Sequence, residues 1–224
     1  MIPWRLLDKA TVPGGSDELR LLQRGAEFSI MLGRAELMNS RRSGSEEALA
    51  TVSCARIRGR PRPHLLIGGL GMGFTLRAAL AELPAEARIT VAELVPAVVA
   101  WARGPMTEIF GQSLTDPRVS IREADVSSLI ASSSSTYDAI LLDVDNGPEG
   151  LTRGANERLY GMEGLRAARS ALRPGGVLAV WSSGPDGSFI RRLRKSGFAV
   201  DELKVRAHGG RGARHVIWIA TAAG

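Results

Sequence analysis

The stretch from His64 to Leu80, "HLLIGGLGMGFTLRAAL", decides how this chain is read. It runs from an apolar segment through four glycines in six positions into a pattern with helical spacing. Glycine is packed this densely where the backbone must adopt φ > 0 or approach another group closely. Gly69, Gly71 and Gly73 in "GGLGMG" therefore predict a strand, a tight turn and a helix N-terminus that receives a ligand. Such a loop suits a dinucleotide or S-adenosylmethionine (AdoMet), and the loop alone does not choose between them.

Outward from this loop the pattern alternates. Strand "RITVAEL" leads to helix "PAVVAWARGPM", and "RVSIREAD" leads to the weak helix "VSSLIASS". "YDAILLDVD" has the continuous apolar core of a strand buried on both faces. The amphipathic helix "NERLYGMEGLRAARSAL" is expected to stop at "RPGG" before strand "VLAVWSS", and "GSFIRRLRKSG" is the last helix. "FAVDELKVRA" and "HVIWIATAA" read as two strands facing each other across the basic loop 206–215. The expectation is an α/β fold: a doubly wound, mostly parallel Rossmann-like sheet with a terminal antiparallel strand, placed at one edge. Ligands then bind beyond the carboxyl ends of the strands. Two closing strands without an intervening helix are common in AdoMet-dependent transferases and unusual in nicotinamide dehydrogenases, which favours AdoMet.

Upstream of the loop, residues 18–38 hold two apolar runs around turn signals, as in a small β-hairpin. "SRRSGSEEALATVSCARI" predicts a helix with Ser45 as its N-cap and a stripe through Leu49, Val52 and Ala55. "RGRPRP" breaks that helix. The chain accordingly divides into residues 1–60, the hairpin and joining helix, and 61–224, the AdoMet-binding Rossmann-like domain.

Composition bounds the remaining classes. The chain has 224 residues, 44% of them hydrophobic, enough for a full core and too many for a disordered chain. No apolar run approaches membrane-spanning length, and the N-terminus lacks a signal-peptide h-region, so a cytoplasmic protein is expected. Cys54 is the only cysteine, and His64, His208 and His215 show no metal-ligand spacing. The 29 Lys and Arg against 23 Asp and Glu leave a charge of +6. The arginines are scattered without interleaved aromatics, which argues against nucleic acid as the partner.

Four carboxylates carry the expected chemistry. Glu93 ends the second strand, 20 residues after Gly73, where an acid accepts both ribose hydroxyls. Asp125 ends the third strand and either accepts from an adenine amine or caps the following helix, two compatible roles. Asp143 and Asp145, in "LLDVDNGP", leave the buried strand on roughly the same side. Two nearby carboxylates position an amine or take its proton, and their repulsion raises one pKa; an Asp-rich turn cap is the plainer alternative.

Taken together these segments resemble the spermidine synthase-like branch of the class I AdoMet-dependent transferases. The likeness runs from about Glu18 to the last strand. It rests on the glycine loop, "VAELVPAVVAWAR", "DPRVSIREAD", "YDAILLDVDNGP" and "LYGMEGLRAARSALRPGGVLAVWSS", with "GSEEALATVSCARI" similar to the family's joining helix. The resemblance implies a homodimer whose glycine loop holds the nucleoside, with Glu93 on ribose and Asp125 on adenine. It also implies that Asp143 or Asp145 activates an attacking amine. Two departures bear on the substrate. Aminopropyltransferases carry an Asp in the glycine loop that holds the amine of decarboxylated AdoMet, and here that position is Gly71 or Met72. The family's Tyr-Gln-Glu and later His are replaced by Ser45, Glu46, Glu47 and Thr51. The expected activity is therefore methyl transfer from AdoMet to a small-molecule acceptor. The alternatives are aminopropyl transfer from decarboxylated AdoMet, with Glu46 or Glu47 replacing the missing acid, and a non-catalytic nucleoside-binding domain.

Overall fold

The computed structural model describes residues 2–41, 43–144, 158–208 and 211–222. The chain opens with β1 (Arg5–Thr11), β2 (Glu18–Arg24), β3 (Glu27–Leu32) and β4 (Ala35–Asn39), an antiparallel four-stranded sheet in sequential order. The expected hairpin is thus the middle of a larger meander. β1 escapes the sequence pattern because only Leu7 and Ala10 turn inward, three apart, and a register shift between Leu6 and Asp8 breaks the alternation. Leu19, Leu21, Phe28 and Ile30 form the buried face of this sheet and join the main core.

Helix α1 (Gly44–Arg56) follows and packs against the glycine-loop helix α2 (Phe74–Glu82). Its N-cap is Ser43, without a side-chain capping bond. The expected N-cap, Ser45, instead lies inside the first turn and is fully buried. A polar residue near a helix start reads as a cap only until a tertiary partner claims its hydroxyl, and Ser45 has two such partners, described below.

The remaining elements are β5 (His64–Gly68), β6 (Arg88–Glu93), α3 (Pro96–Arg103), α4 (Thr107–Phe110), β7 (Val119–Glu123) and α5 (Val126–Ala131). They continue as β8 (Tyr137–Leu142), α6 (Met162–Ala171), β9 (Leu172–Ser182), α7 (Gly187–Lys195), β10 (Phe198–His208) and β11 (Arg211–Ala222). The second sheet has seven strands in the order β10-β11-β9-β8-β5-β6-β7. All pairs are parallel except those of β11, which is antiparallel to both β9 and β10. The terminal antiparallel strand is therefore present, but one place inside the edge rather than at it. Edge strand β10 is then parallel to the rest.

Strict alternation builds two cores on the two faces of this sheet. Leu65, Ile67, Leu141, Ala179 and Ile219 face α1, α2 and α3, while Leu66, Leu142, Val180 and Trp218 face α5, α6 and α7. Each fully buried Leu or Ile contributes roughly 1.5–3 kcal/mol, so the central strands hold both layers together. Two expected boundaries move. "RPGG" lies within β9, because Leu172 turns to extended backbone at the end of α6 and the β8–β9 register shift absorbs the extra residues. The basic loop 206–215 is mostly paired strand, with Arg206 opposite Arg214.

From β5 the chain winds outward through β6 and β7, then returns to β8 on the other side of β5. A crevice opens where the winding reverses, beyond the carboxyl ends of β5 and β8. The glycine loop leaves β5 and Asp143 leaves β8 at that point.

Candidate active site

The glycine loop is held by the sheet itself. Gly69 has φ +90°, and its N–H donates to the Ala92 carbonyl at 2.8 Å. A Cβ on Gly69 would lie 2.5 Å from the Asp143 carbonyl oxygen, so a side chain here would part β5 from β8. Gly73 has φ +73°, and a Cβ there would collide with the Phe110 ring delivered by α4. Gly71, with φ +49°, is different: a Cβ there would meet only the flexible end of a side chain, the Met38 sulfur of β4 at 3.2 Å. Packing alone accounts for Gly69 and Gly73.

Glu93 sits at the end of β6, 8% exposed, and locks the same loop. Its Oε2 accepts the Leu70 N–H and its Oε1 the Val95 N–H, both at 2.9 Å. Burial pushes its pKa up, opposed by these backbone N–H groups, chiefly that of Val95. The Gly71 and Leu94 N–H groups also stabilise this carboxylate, so the loop closes around it from both sides.

Asp125 is the N-cap of α5, where its Oδ1 accepts the Ser127 N–H at 2.8 Å. Of its two expected roles the structure contains the cap. Its Oδ2 lies 4.0 Å from the Arg158 guanidinium. Gly69, Gly71, Glu93, Asp125 and Asp143 come together around one cleft of about 200 Å³. Leu19, Leu32, Leu37 and Met38 of the N-terminal sheet form the wall opposite the strand ends.

Beside it lies a smaller cavity of about 100 Å³, which also contains Leu37, Met38, Gly71 and Asp143 and adds Asn39, Glu46, Met72, Gly73, Phe74 and Trp181. Asp143 thus stands between the two spaces. Its Oδ2 accepts from the Thr75 hydroxyl at 2.9 Å, and Thr75 also reaches the Glu46 carbonyl at 3.3 Å. Burial raises the Asp143 pKa to about 7, the Glu46 carboxylate adds to the rise, and the Thr75 hydroxyl opposes it. The second acid of the expected pair, Asp145, lies outside the described residues. The acid that the fold brings to Asp143 is Glu46, from the first turn of α1.

Glu46 is held from behind. Its Oε2 accepts from the Ser45 hydroxyl at 2.7 Å, and His215 Nδ1 lies 2.9 Å from the same hydroxyl oxygen. The His215 ring stacks edge-on against Trp181, centroids 4.7 Å apart. Trp181 is 9% exposed, and its indole N–H has no acceptor among the described residues. Three contributors carried no sequence signal of their own: Thr75, His215 and Trp181. Each is an ordinary helix or strand residue until the fold places it. Glu46 had a weak signal, as an acid in the place of the family's joining-helix motif, while Glu47 is exposed.

No family model matches the chain. A polyamine aminopropyltransferase of Mycobacterium tuberculosis is 31% identical over 153 residues, covering 64% of this chain and 28% of that relative. The chain thus matches less than a third of that relative's length. A spermidine synthase solved with the transition-state analogue AdoDATO superposes with a TM-score of 0.79 at 19% identity, covering 97% of this chain and 73% of the other. The Burkholderia thailandensis 1,6-didemethyltoxoflavin-N1-methyltransferase, solved with 1,6-didemethyltoxoflavin and S-adenosylhomocysteine, superposes with a TM-score of 0.56 at 20% identity over 81% of this chain and 80% of its own. The chain has the Rossmann-like fold of spermidine synthase. No helix among the described residues is long and apolar enough to cross a membrane.

Proposed function

We infer that this protein transfers an aminopropyl group from decarboxylated AdoMet to a small amine. The observation that carries the reading is the pairing of Glu46 with Asp143 in the small cavity, where the described lining includes Trp181 and no lysine or arginine. Two carboxylates and an indole face recognise an aliphatic ammonium. Complete AdoMet would bring a third carboxylate into the same space, and like charges at short range in a partly buried site repel strongly. Glu46 from α1 thereby supplies the acid that Gly71 and Met72 lack. The aminopropyltransferase names of the sequence relatives support this choice.

In the step itself, the lone pair of the acceptor amine attacks the propyl carbon bonded to sulfur. The C–S bond breaks, sulfur keeps the electron pair, and methylthioadenosine leaves as a neutral thioether. The surplus proton on the new ammonium passes to Asp143, whose Oδ1 is not taken by Thr75. A base with a pKa near 7 suits this transfer at neutral pH. The glycine loop, Glu93 and Asp125 hold the nucleoside and set the in-line geometry, which supplies most of the acceleration in such a displacement. The small enclosed space favours a small-molecule acceptor, and the homodimer expected from the resemblance belongs to the same proposal.

The test is a product assay with both donors and a panel of amines. Methylthioadenosine released only from decarboxylated AdoMet supports the proposal. S-adenosylhomocysteine released from AdoMet would replace it with methyl transfer, the reading favoured by the missing loop acid at Gly71 and Met72. Tight binding of either nucleoside without turnover on any acceptor would make this a nucleoside-binding domain.

A further inference from the structure

A second concave site lies at the opposite end of the sheet from the nucleoside cleft. It is a cavity of about 380 Å³ at the start of β9, walled by Arg166, Arg169 and Arg173 and by the hydroxyl residues Ser134, Ser170 and Ser196. Three guanidinium groups around one space repel each other, and Arg166 and Arg169, three apart on α6, are like charges on one helix face. Arg173 donates to the buried Asp138 at 2.6 Å, but Asp138 is shared with Arg60, so it does not balance the group. No carboxylate lies within ion-pair distance of Arg166 or Arg169 among the described residues.

The usual reason for arginines in a last helical turn is to satisfy its open carbonyls. Here that work is already done: the Ser135 and Thr136 N–H groups donate to the Ser170 and Ala171 carbonyls, both at 2.8 Å. Ser135 makes its bond with φ at +43°, an uncommon conformation for a residue with a side chain. Arg169 is also seated. A Cβ on Gly197 would lie 3.1 Å from its Nε, so the guanidinium lies over the turn between α7 and β10 because that residue is glycine.

We propose that this basket of three arginines and adjacent serine hydroxyls binds a phosphate-bearing small molecule. Guanidinium forks and hydroxyls suit phosphate oxygens, and the volume suits a ligand of nucleotide size. Occupation would relieve the arginine repulsion and tie α6, β9 and the turn before β10 together. The site is separate from the transferase cleft and does not depend on the activity proposed for it.

Inorganic pyrophosphate is the probe, read by thermal unfolding of the whole chain and by calorimetry at low and moderate salt. A hundredfold excess over Kd is expected to raise Tm by about 5 °C or more, less at higher salt. Arg169→Gln should weaken binding at least tenfold, and Arg166→Glu with Arg169→Glu should abolish it. Both positions are exposed, so folding should persist. Arg103→Glu, an exposed change on α3 that alters net charge without touching the basket, should bind as the wild type does. Equal loss in Arg103→Glu would overturn the site in favour of diffuse surface charge. The absence of any shift at millimolar pyrophosphate would also overturn it. A single-stranded RNA oligomer that binds through the same arginines and that pyrophosphate does not displace would make the patch a nucleic-acid surface and defeat the small-molecule assignment.

Discussion

Strand β8 carries an aspartate near each end, and the fold treats the two in opposite ways. Asp138, near the start, is 2% exposed and fully answered: it accepts from Arg60 at 2.8 Å, Arg173 at 2.6 Å and the His64 N–H at 2.8 Å. Asp143, just past the other end, has one hydroxyl donor in Thr75 and a second acid nearby in Glu46. The first environment holds a negative charge and anchors the base of the sheet to the "RGRPRP" segment. The second withholds stabilisation from that charge and leaves an oxygen facing a cavity. A strand whose interior is uniformly apolar thus ends in one structural acid and one reactive one, and only their neighbours distinguish them.

The comparison is sharpest in Asp143→Asn. Turnover on the true acceptor should fall roughly 10²- to 10⁴-fold, with the cationic donor weakened about tenfold and the affinity for methylthioadenosine, which has no ammonium, kept; a variant with full activity would reduce Asp143 to a turn cap. The same variant tests the pH argument. Because the pKa of Asp143 is raised in the folded protein to about 7 from 3.8, its contribution to stability is fully present below about pH 4 and is lost as pH rises through 7. Wild type should therefore lose stability over that window, by at most about 1.4 kcal/mol per pH unit from this group. The Asn variant should lack that component, and an unchanged slope would mean Asp143 does not titrate there.

At the other end, Asp138→Ala should destabilise by about 3–5 kcal/mol in denaturant titrations, since it strips a buried partner from two arginines. A loss below about 1 kcal/mol would show that the two ends of β8 are not as unlike as their partners suggest. Glu46→Gln comes next. Removing one of the two cavity acids should weaken the cationic donor about tenfold, as for a lost charged hydrogen bond, and should move the acidic limb of the rate profile to lower pH. A rate profile that stays in place would separate Glu46 from Asp143.

Smallest is Ser45→Ala, which cuts the link from His215 to Glu46 and should cost a few-fold in KM with little change in kcat, about 0.5–1.5 kcal/mol. Ser45→Thr, which keeps the hydroxyl, should recover most of it if the buried site accommodates the added methyl. Equal effects of both changes would point to packing rather than to the hydrogen bond.

What could be read from the residues alone follows from local periodicity. Strands β5 and β8 show their burial directly, because alternate positions meet two covered faces and the whole segment must be apolar. The glycine loop and Glu93 are legible for a related reason: Gly69 and Gly73 stand where positive φ and close approach exclude any side chain, and Glu93 is the carboxylate that ties that loop. β1 and the extension of β9 through "RPGG" were not legible, since a bulge and a register shift destroy the alternation that reveals a strand.

The acidic cavity belongs to the tertiary structure. Ser45 and His215 are 170 positions apart in the chain, and Thr75 and Asp143 are 68 apart. No spacing rule links such residues. They meet because α1 crosses the sheet next to α2, β9 and β10 and so carries Glu46 to the mouth of β8. Local chemistry could nominate Asp143, but its raised pKa depends on burial and on an acid delivered from another element. Low dielectric and a like charge act through space, and only the folded chain sets those distances.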